Sequence, residues 1–352
     1  MTRSFAETVS AVLADPLAAA RASARSVGFV GGDVPPDLAL ASKRMFCHLP
    51  WRAGRATPVA DQWLESAFPG WARSMLEDWA AGTFDCFESV VFTRGDDASQ
   101  RLYYYVCELQ RLGRLAGPRP LILDVALIPR ESSVRHTARA LERLLEELEI
   151  DAPALAEGTA QANLRRDWYQ HLARQGELDG RLRENLARAV LFRDLYPELA
   201  GQSLPTAAGK GVLLAGSAPP DDSLHSAVHA VGWNVCGELH PYALARHGAP
   251  VAATGGDNAL MALARRLNGQ THGVRSFADR AALLEQELDR GAASAVVLWL
   301  TEEDESLVWD VARLREVLKR RAVPALVLPR RRWDLEDGAP AEVARFLEGL
   351  QS

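Results

Sequence analysis

The chain is poor in cysteine, with four in 352 residues, and Cys47, Cys86, Cys107 and Cys236 form no CxxC pair. That scarcity argues against a disulfide framework or a zinc ribbon and for reduced, mostly buried thiols. Net positive charge is also missing. Lys+Arg number 40 against 46 for Asp+Glu, a formal charge of −6, so a nucleic-acid-binding role is disfavoured, since it needs a basic face. Arg330-Arg331-Arg332 is the local exception and reads as a solvated rim. No apolar run reaches the roughly 18 residues of a membrane span. The N-terminus has no basic start followed by a signal-type apolar core; it reads as an amphipathic helix carrying Phe5, Val9, Val12 and Leu13. The expectation is a soluble cytoplasmic protein that neither enters a membrane nor binds nucleic acid.

What the sequence does contain is a βα rhythm in two places. Val27-Gly28-Phe29-Val30 reads as a strand running into Gly31-Gly32-Asp33, with Asp37 opening the next helix. Met45 to Trp51 is a short segment, 63–81 a helix, Phe87 to Thr93 a strand and Leu121-Ile122-Leu123 another. Asp97 or Ser99 is a candidate cap for the helix between those two strands. Strand signals then vanish from Ser132 to about Tyr196, where helical spacing takes over. They resume at Val212-Leu213-Leu214-Ala215, Gly232 to Glu238, Ala295 to Leu300 and Ala325 to Leu328, with a helix from Leu307 to Lys319. Alternating strands and helices predict parallel sheets covered on both faces. The predicted class is α/β, with two flavodoxin-like (Rossmann-like) parallel-sheet lobes joined by a helical segment. The expected divisions are 1–131 (N-terminal helix and first lobe), 132–208 (helical segment) and 209–352 (second lobe).

Several constellations invite chemistry and fall short of a motif. Lys210 precedes its strand, so Gly209-Lys210-Gly211 is no Walker loop. Thr254-Gly255-Gly256-Asp257 reads as a loop before a helix, with Asp257 its cap. His225 and His229 are four apart, as metal ligands can be, but no HExxH surrounds them, and a solvated helix face is the simpler reading. Ser217, His225 and Asp221 are triad residue types without a GxSxG elbow. Glu302-Glu303-Asp304-Glu305 reads as a cap for the helix at Leu307.

Val27 to Val30 followed by Val34-Pro35-Pro36-Asp37-Leu38, Asp85 to Val91 followed by Asp96, Val212 to Ser217, Trp299 and its neighbours, Val323 to Leu326, and Arg345 to Glu348 form an ordered set. Over Ser26 to Leu350 that set resembles the 2-hydroxyacyl-CoA dehydratases and the related benzoyl-CoA reductase subunits. The resemblance implies two lobes facing a cleft, a second homologous subunit, and a 4Fe–4S cluster held by three cysteines per subunit. Those ligands would fall near Ala67 or Phe68, at Gly95, and near Thr301 or Glu302, and none is a cysteine. The expectation is therefore a cluster-less subunit of a lyase-type assembly, with no cofactor or metal of its own. Its partner, in a heterodimer, would be a homologous cluster-bearing subunit. The alternative is a stand-alone protein that reuses the cleft for redox-free acyl-thioester chemistry. With acyl-CoA as the candidate ligand, the expected binding loops are Gly31, Gly32, Gly95, Asp96, Gly216, Ser217 and Glu302, since open α/β sheets bind ligands at strand carboxyl ends.

Overall fold

The computed structural model describes residues 3–174, 178–252, 258–271 and 278–351. The Thr254 to Asp257 turn lies outside them. Strands β1 (Ser26–Val30), β2 (Met45–His48), β3 (Ser89–Thr93) and β4 (Arg119–Leu123) form an all-parallel sheet in the order β2-β1-β3-β4. Strands β5 (Lys210–Gly216), β6 (Trp233–Leu239), β7 (Ala295–Thr301) and β8 (Ala325–Arg331) repeat that order as β6-β5-β7-β8. The protein is thus α/β, with two flavodoxin-like lobes and a helical segment between them. Every residue of β1, β3 and β7 is buried, because helices cover both faces of each sheet; hence apolar runs rather than alternation. Strand β2, read from the sequence only as a short segment, is a four-residue edge strand ending at His48, just before Pro50.

Between the lobes run Glu131–Glu147, Ala152–Arg174, Gly180–Phe192 and the short Tyr196–Leu199. The β-pairing within this segment among the described residues is one isolated bridge, from Leu178 to Thr206. Helix Ala152–Arg174 lies on Pro36–Ser42 so closely that a Cβ at Gly158 would stand 2.7 Å from the Asp37 carbonyl oxygen. Asp37 lies in the first turn of Pro36–Ser42, as expected, with Pro35 as the N-cap. Asp37 is fully buried and pairs with the equally buried Arg166 of the covering helix. Helix Gly180–Phe192 bridges the lobes: its first amide donates to Asn234 Oδ1 on β6 (2.8 Å), and Phe192 at its end meets Trp51 of the first lobe.

Three boundaries differ from the sequence reading. The 63–81 helix is two pieces, Ala60–Trp63 and Gly70–Ala80, divided by a turn that ends at Pro69, the N-cap of the second. The Leu307–Lys319 helix divides into Glu305–Val308 and Val311–Arg320. Helix Ala259–Asn268, grouped by sequence with the second lobe, packs on the first. Its Leu263 and Leu267 join the core beneath Val134 and Leu141, and Arg265 pairs with Glu131. Its cap is Asn258, whose side chain accepts the Met261 amide. No described helix is long and apolar enough to cross a membrane.

Candidate functional site

In each lobe the strand order reverses between the first strand and the third, so β1/β3 and β5/β7 mark the switch points where ligands bind such sheets. The structure gathers Gly31, Gly32, Gly95 and Asp96 at the first of these. Gly31 has φ 97°, a conformation that favours glycine, and a Cβ there would meet Thr93 Oγ1 at 2.0 Å. Gly95 lies against Asp33, whose Oδ2 would stand 2.1 Å from a Cβ. Asp96, rather than Asp97 or Ser99, caps the following helix, accepting the Ser99 amide (2.6 Å) and hydroxyl (2.7 Å).

Gly216 and Ser217 occupy the second switch point; Gly216 lines a small apolar cavity with Leu239 and Leu300, and the Ser217 hydroxyl is used internally. The Ser217 hydroxyl is buried; it donates to Asp304 Oδ2 (3.0 Å) and accepts the Thr301 amide (3.1 Å). It latches β5 to the loop after β7 and presents no free valence to a ligand. Ser217→Ala should cost about 1–2 kcal/mol in urea unfolding and leave ligand affinity unchanged; a large loss of affinity would return Ser217 to the binding surface. Burial raises the Asp304 carboxyl, the Ser217 and Ser306 hydroxyls oppose the rise, and Asp96 adds to it from across the cleft. The loop after β2 reaches the second lobe directly, through Trp51 on Pro220 and Tyr242. Glu302 stands apart, exposed in a charged groove with Arg52, Arg73 and Trp333.

The middle of the cleft is filled by aromatic rings. Trp51 stacks on Tyr242 (5.4 Å between centroids, 21° between planes), and its indole N–H donates to the Pro220 carbonyl at 2.9 Å. His48 packs edge-on against Phe29, Trp51 and Tyr242. Its Nε2 accepts the Gly31 amide (3.3 Å), which assigns the ring proton to Nδ1 and directs it to the Leu49 carbonyl (2.7 Å). Burial pushes the imidazole down to about 3, so His48 is a neutral packing group at pH 7.

Beside this plug remains a cavity of about 180 Å³, lined by Gly32, Asp33, Val34, Phe46, Tyr169 and Arg246 among others. Two of its charges lack partners. Asp33 is buried, its Oδ2 accepts no hydrogen bond, and burial, reinforced by Asp96, pushes its carboxyl up to about 6. Arg246 has its Nε enclosed without an acceptor, and burial lowers the guanidinium to about 10. A carboxyl titrating near neutrality can hold or release a proton, and an unpaired guanidinium can receive a carboxylate, phosphate or polarised carbonyl. The volume admits about six water-sized groups, enough for a short acyl chain and too little for a nucleotide.

Sequence reasoning named the glycines and missed Asp33 and Arg246. Asp33 was legible in kind, as an acid directly after a buried strand and a Gly-Gly turn; Arg246, more than 200 residues away, carried no signal. The triad types are dispersed, since Ser217 bonds Asp304 while His225 bonds Glu238. His225 is buried and His229 exposed. Arg331 and Arg332 pair with Asp337, Glu342, Asp334 and Glu336, as a solvated rim does.

The positions where the resemblance puts cluster ligands do not fit an iron–sulfur centre. None offers a thiolate: Ala67 and Glu302 are exposed, Phe68 is in the core under Tyr105, a Cβ at Gly95 would meet Asp33 Oδ2 at 2.1 Å, and Thr301 is tied to Ser217. Cys47 is fully buried in β2, with its thiol pushed well up by burial, and Cys236 is pushed to about 11 for the same reason. Compared with known proteins, the sequence matches no family model and no curated protein.

Proposed function

We propose that the chain is a cluster-less subunit of a 2-hydroxyacyl-CoA dehydratase-like assembly in the cytoplasm. It supports a cluster-bearing homologous subunit and keeps in its own cleft a small acyl-binding pocket. The observation that supports this reading is the combination of two parallel-sheet lobes with no cysteine at Ala67 or Phe68, at Gly95, or at Thr301 or Glu302, where the resemblance puts the cluster ligands. The electron carrier then belongs to the partner, and this chain shapes the cleft. One observation favours the stand-alone alternative, redox-free acyl-thioester chemistry: Asp33 supplies a proton-holding carboxyl without any partner chain.

Calorimetric titration with a short-chain acyl-CoA tests the pocket. Micromolar binding is expected, weakened at least tenfold by Arg246→Leu, which removes about 1.4 kcal/mol or more of charge-assisted hydrogen bonding to the thioester carbonyl. Unchanged affinity in Arg246→Leu would move the site elsewhere. Recovery of the chain from native extract with a cysteine-complete homologue supports the subunit reading. A clean monomer that turns over acyl-CoA unaided would replace it with the alternative.

A further inference from the structure

Behind β6, away from the acyl pocket, three ligand-type side chains converge in the interior. Glu184 comes from helix Gly180–Phe192, His225 from helix Ser223–Ala230, and Glu238 from β6 itself. Each offers a ligand atom, and these atoms lie within 4.8 Å of one another. The sequence gives no hint of this set, because its members are 41 and 13 residues apart and the HxxxH spacing points to His229, which faces solvent.

Proximity alone would not make a site. The independent observation is that the cluster is under-satisfied. Glu184 has no solvent exposure, and neither of its carboxylate oxygens makes a hydrogen bond. Buried carboxylates are normally paired or coordinated. The neighbours that could neutralise Glu184 do so poorly. The His240 Nδ1 accepts the Tyr242 amide (3.3 Å), so its Nε2 carries the proton, and that nitrogen stops 3.5 Å short of Glu184 Oε2. Arg183 bonds Glu238 Oε2 (3.3 Å) and the Val235 carbonyl (2.6 Å), and its buried Nη1 bonds neither oxygen of Glu184.

We propose that Glu184, His225 and Glu238 bind one divalent transition-metal ion. Two carboxylates and one imidazole, with no thiolate, suit zinc, cobalt, manganese or ferrous iron better than calcium or magnesium, which take all-oxygen shells. The ion takes the place of the proton shared between His225 Nε2 and Glu238 Oε1, now 2.8 Å apart, and it gives Glu184 a closer partner than His240 Nε2, which pairs with it at 3.5 Å. Arg183 and His240 are the outer groups that orient the two carboxylates. The site pins β6 to both helices that cover it, so its role is structural. Through His240 and Tyr242 it also steadies the segment that carries Arg246 into the acyl pocket.

The test uses the untagged full-length chain, stripped with chelator and titrated with zinc or cobalt alone. One equivalent should bind, and Tm should rise by about 3–4 °C at a hundredfold excess over Kd. Magnesium should give no rise. The cobalt form should show weak visible bands without the intense near-ultraviolet thiolate absorption. Glu184→Gln and His225→Asn should each lose the metal-induced rise while keeping the parent's circular dichroism, and Cys236→Ser should retain it. If the first two variants fail to fold, the wild-type stoichiometry and cobalt spectrum decide. No bound equivalent, a thiolate spectrum, or a thermal rise retained in folded Glu184→Gln would overturn the site.

Discussion

Asp33→Asn should be more stable than the parent at pH 7.5, by about 2–3 kcal/mol, and no more stable than it near pH 3.5. The sign follows from where the proton sits. Asp33 titrates at about 6 in the folded chain, against an ordinary 3.8. Between those values the folded state binds more protons than the unfolded one, so the parent loses stability as pH rises from about 4 through about 6. Above pH 7 that loss is complete, and the full difference corresponds to about 3 kcal/mol. Asparagine cannot ionise and escapes it, while Gly95, which lies against the side chain, receives a residue of nearly the same shape. Urea unfolding of both proteins at pH 4, 5, 6 and 7.5 should give a gap that opens with pH. A gap independent of pH would mean that Asp33 is not a carboxyl held neutral by burial. A charge kept at such a cost, facing a cavity, is what a binding or proton-handling residue looks like before its ligand arrives.

Arg166→Met should destabilise the protein by about 3–5 kcal/mol, since it strands the Asp37 carboxylate in a place with no solvent access. The double variant Asp37→Leu with Arg166→Met should recover most of that loss, because an apolar pair of similar volume escapes the desolvation of both ions. Chemical denaturation of the two single variants and the double variant closes the cycle. A double variant as unstable as the worse single one would show that packing against Gly158, not charge, holds Pro36–Ser42 to Ala152–Arg174.

The strands that the sequence shows plainly are those buried on both faces, because burial on both sides leaves an uninterrupted apolar run: Val27 to Val30, Val90 to Phe92 and Ala295 to Leu300. The edge strand β2 was harder to see; His48 is buried there by packing on Tyr242 of the second lobe, which no local pattern encodes, and Cys47 faces the Pro16 carbonyl. Helix Ala259–Asn268 shows the same limit. Its apolar stripe announces a helix and is silent about which lobe it covers. At the site, Gly31 and Gly216 were legible because a positive φ and a close approach dictate glycine there. The buried polar residues were not: Asp33, Arg246, Glu184 and Glu238 are ordinary letters until the fold removes their water. Ser217 erred in the other direction, since its position at a strand end suggested a ligand and the chain uses its hydroxyl as a latch.

The central proposal, that this chain carries the dehydratase-like architecture without its electron carrier, is tested most directly by iron and acid-labile sulfide analysis of the anaerobically purified chain. The account predicts no labile sulfide and no charge-transfer absorption, with any iron limited to about one equivalent that Glu184→Gln removes. Four irons with four sulfides per chain, lost on Cys86→Ala or Cys107→Ala, would contradict it and make this chain a redox subunit in its own right.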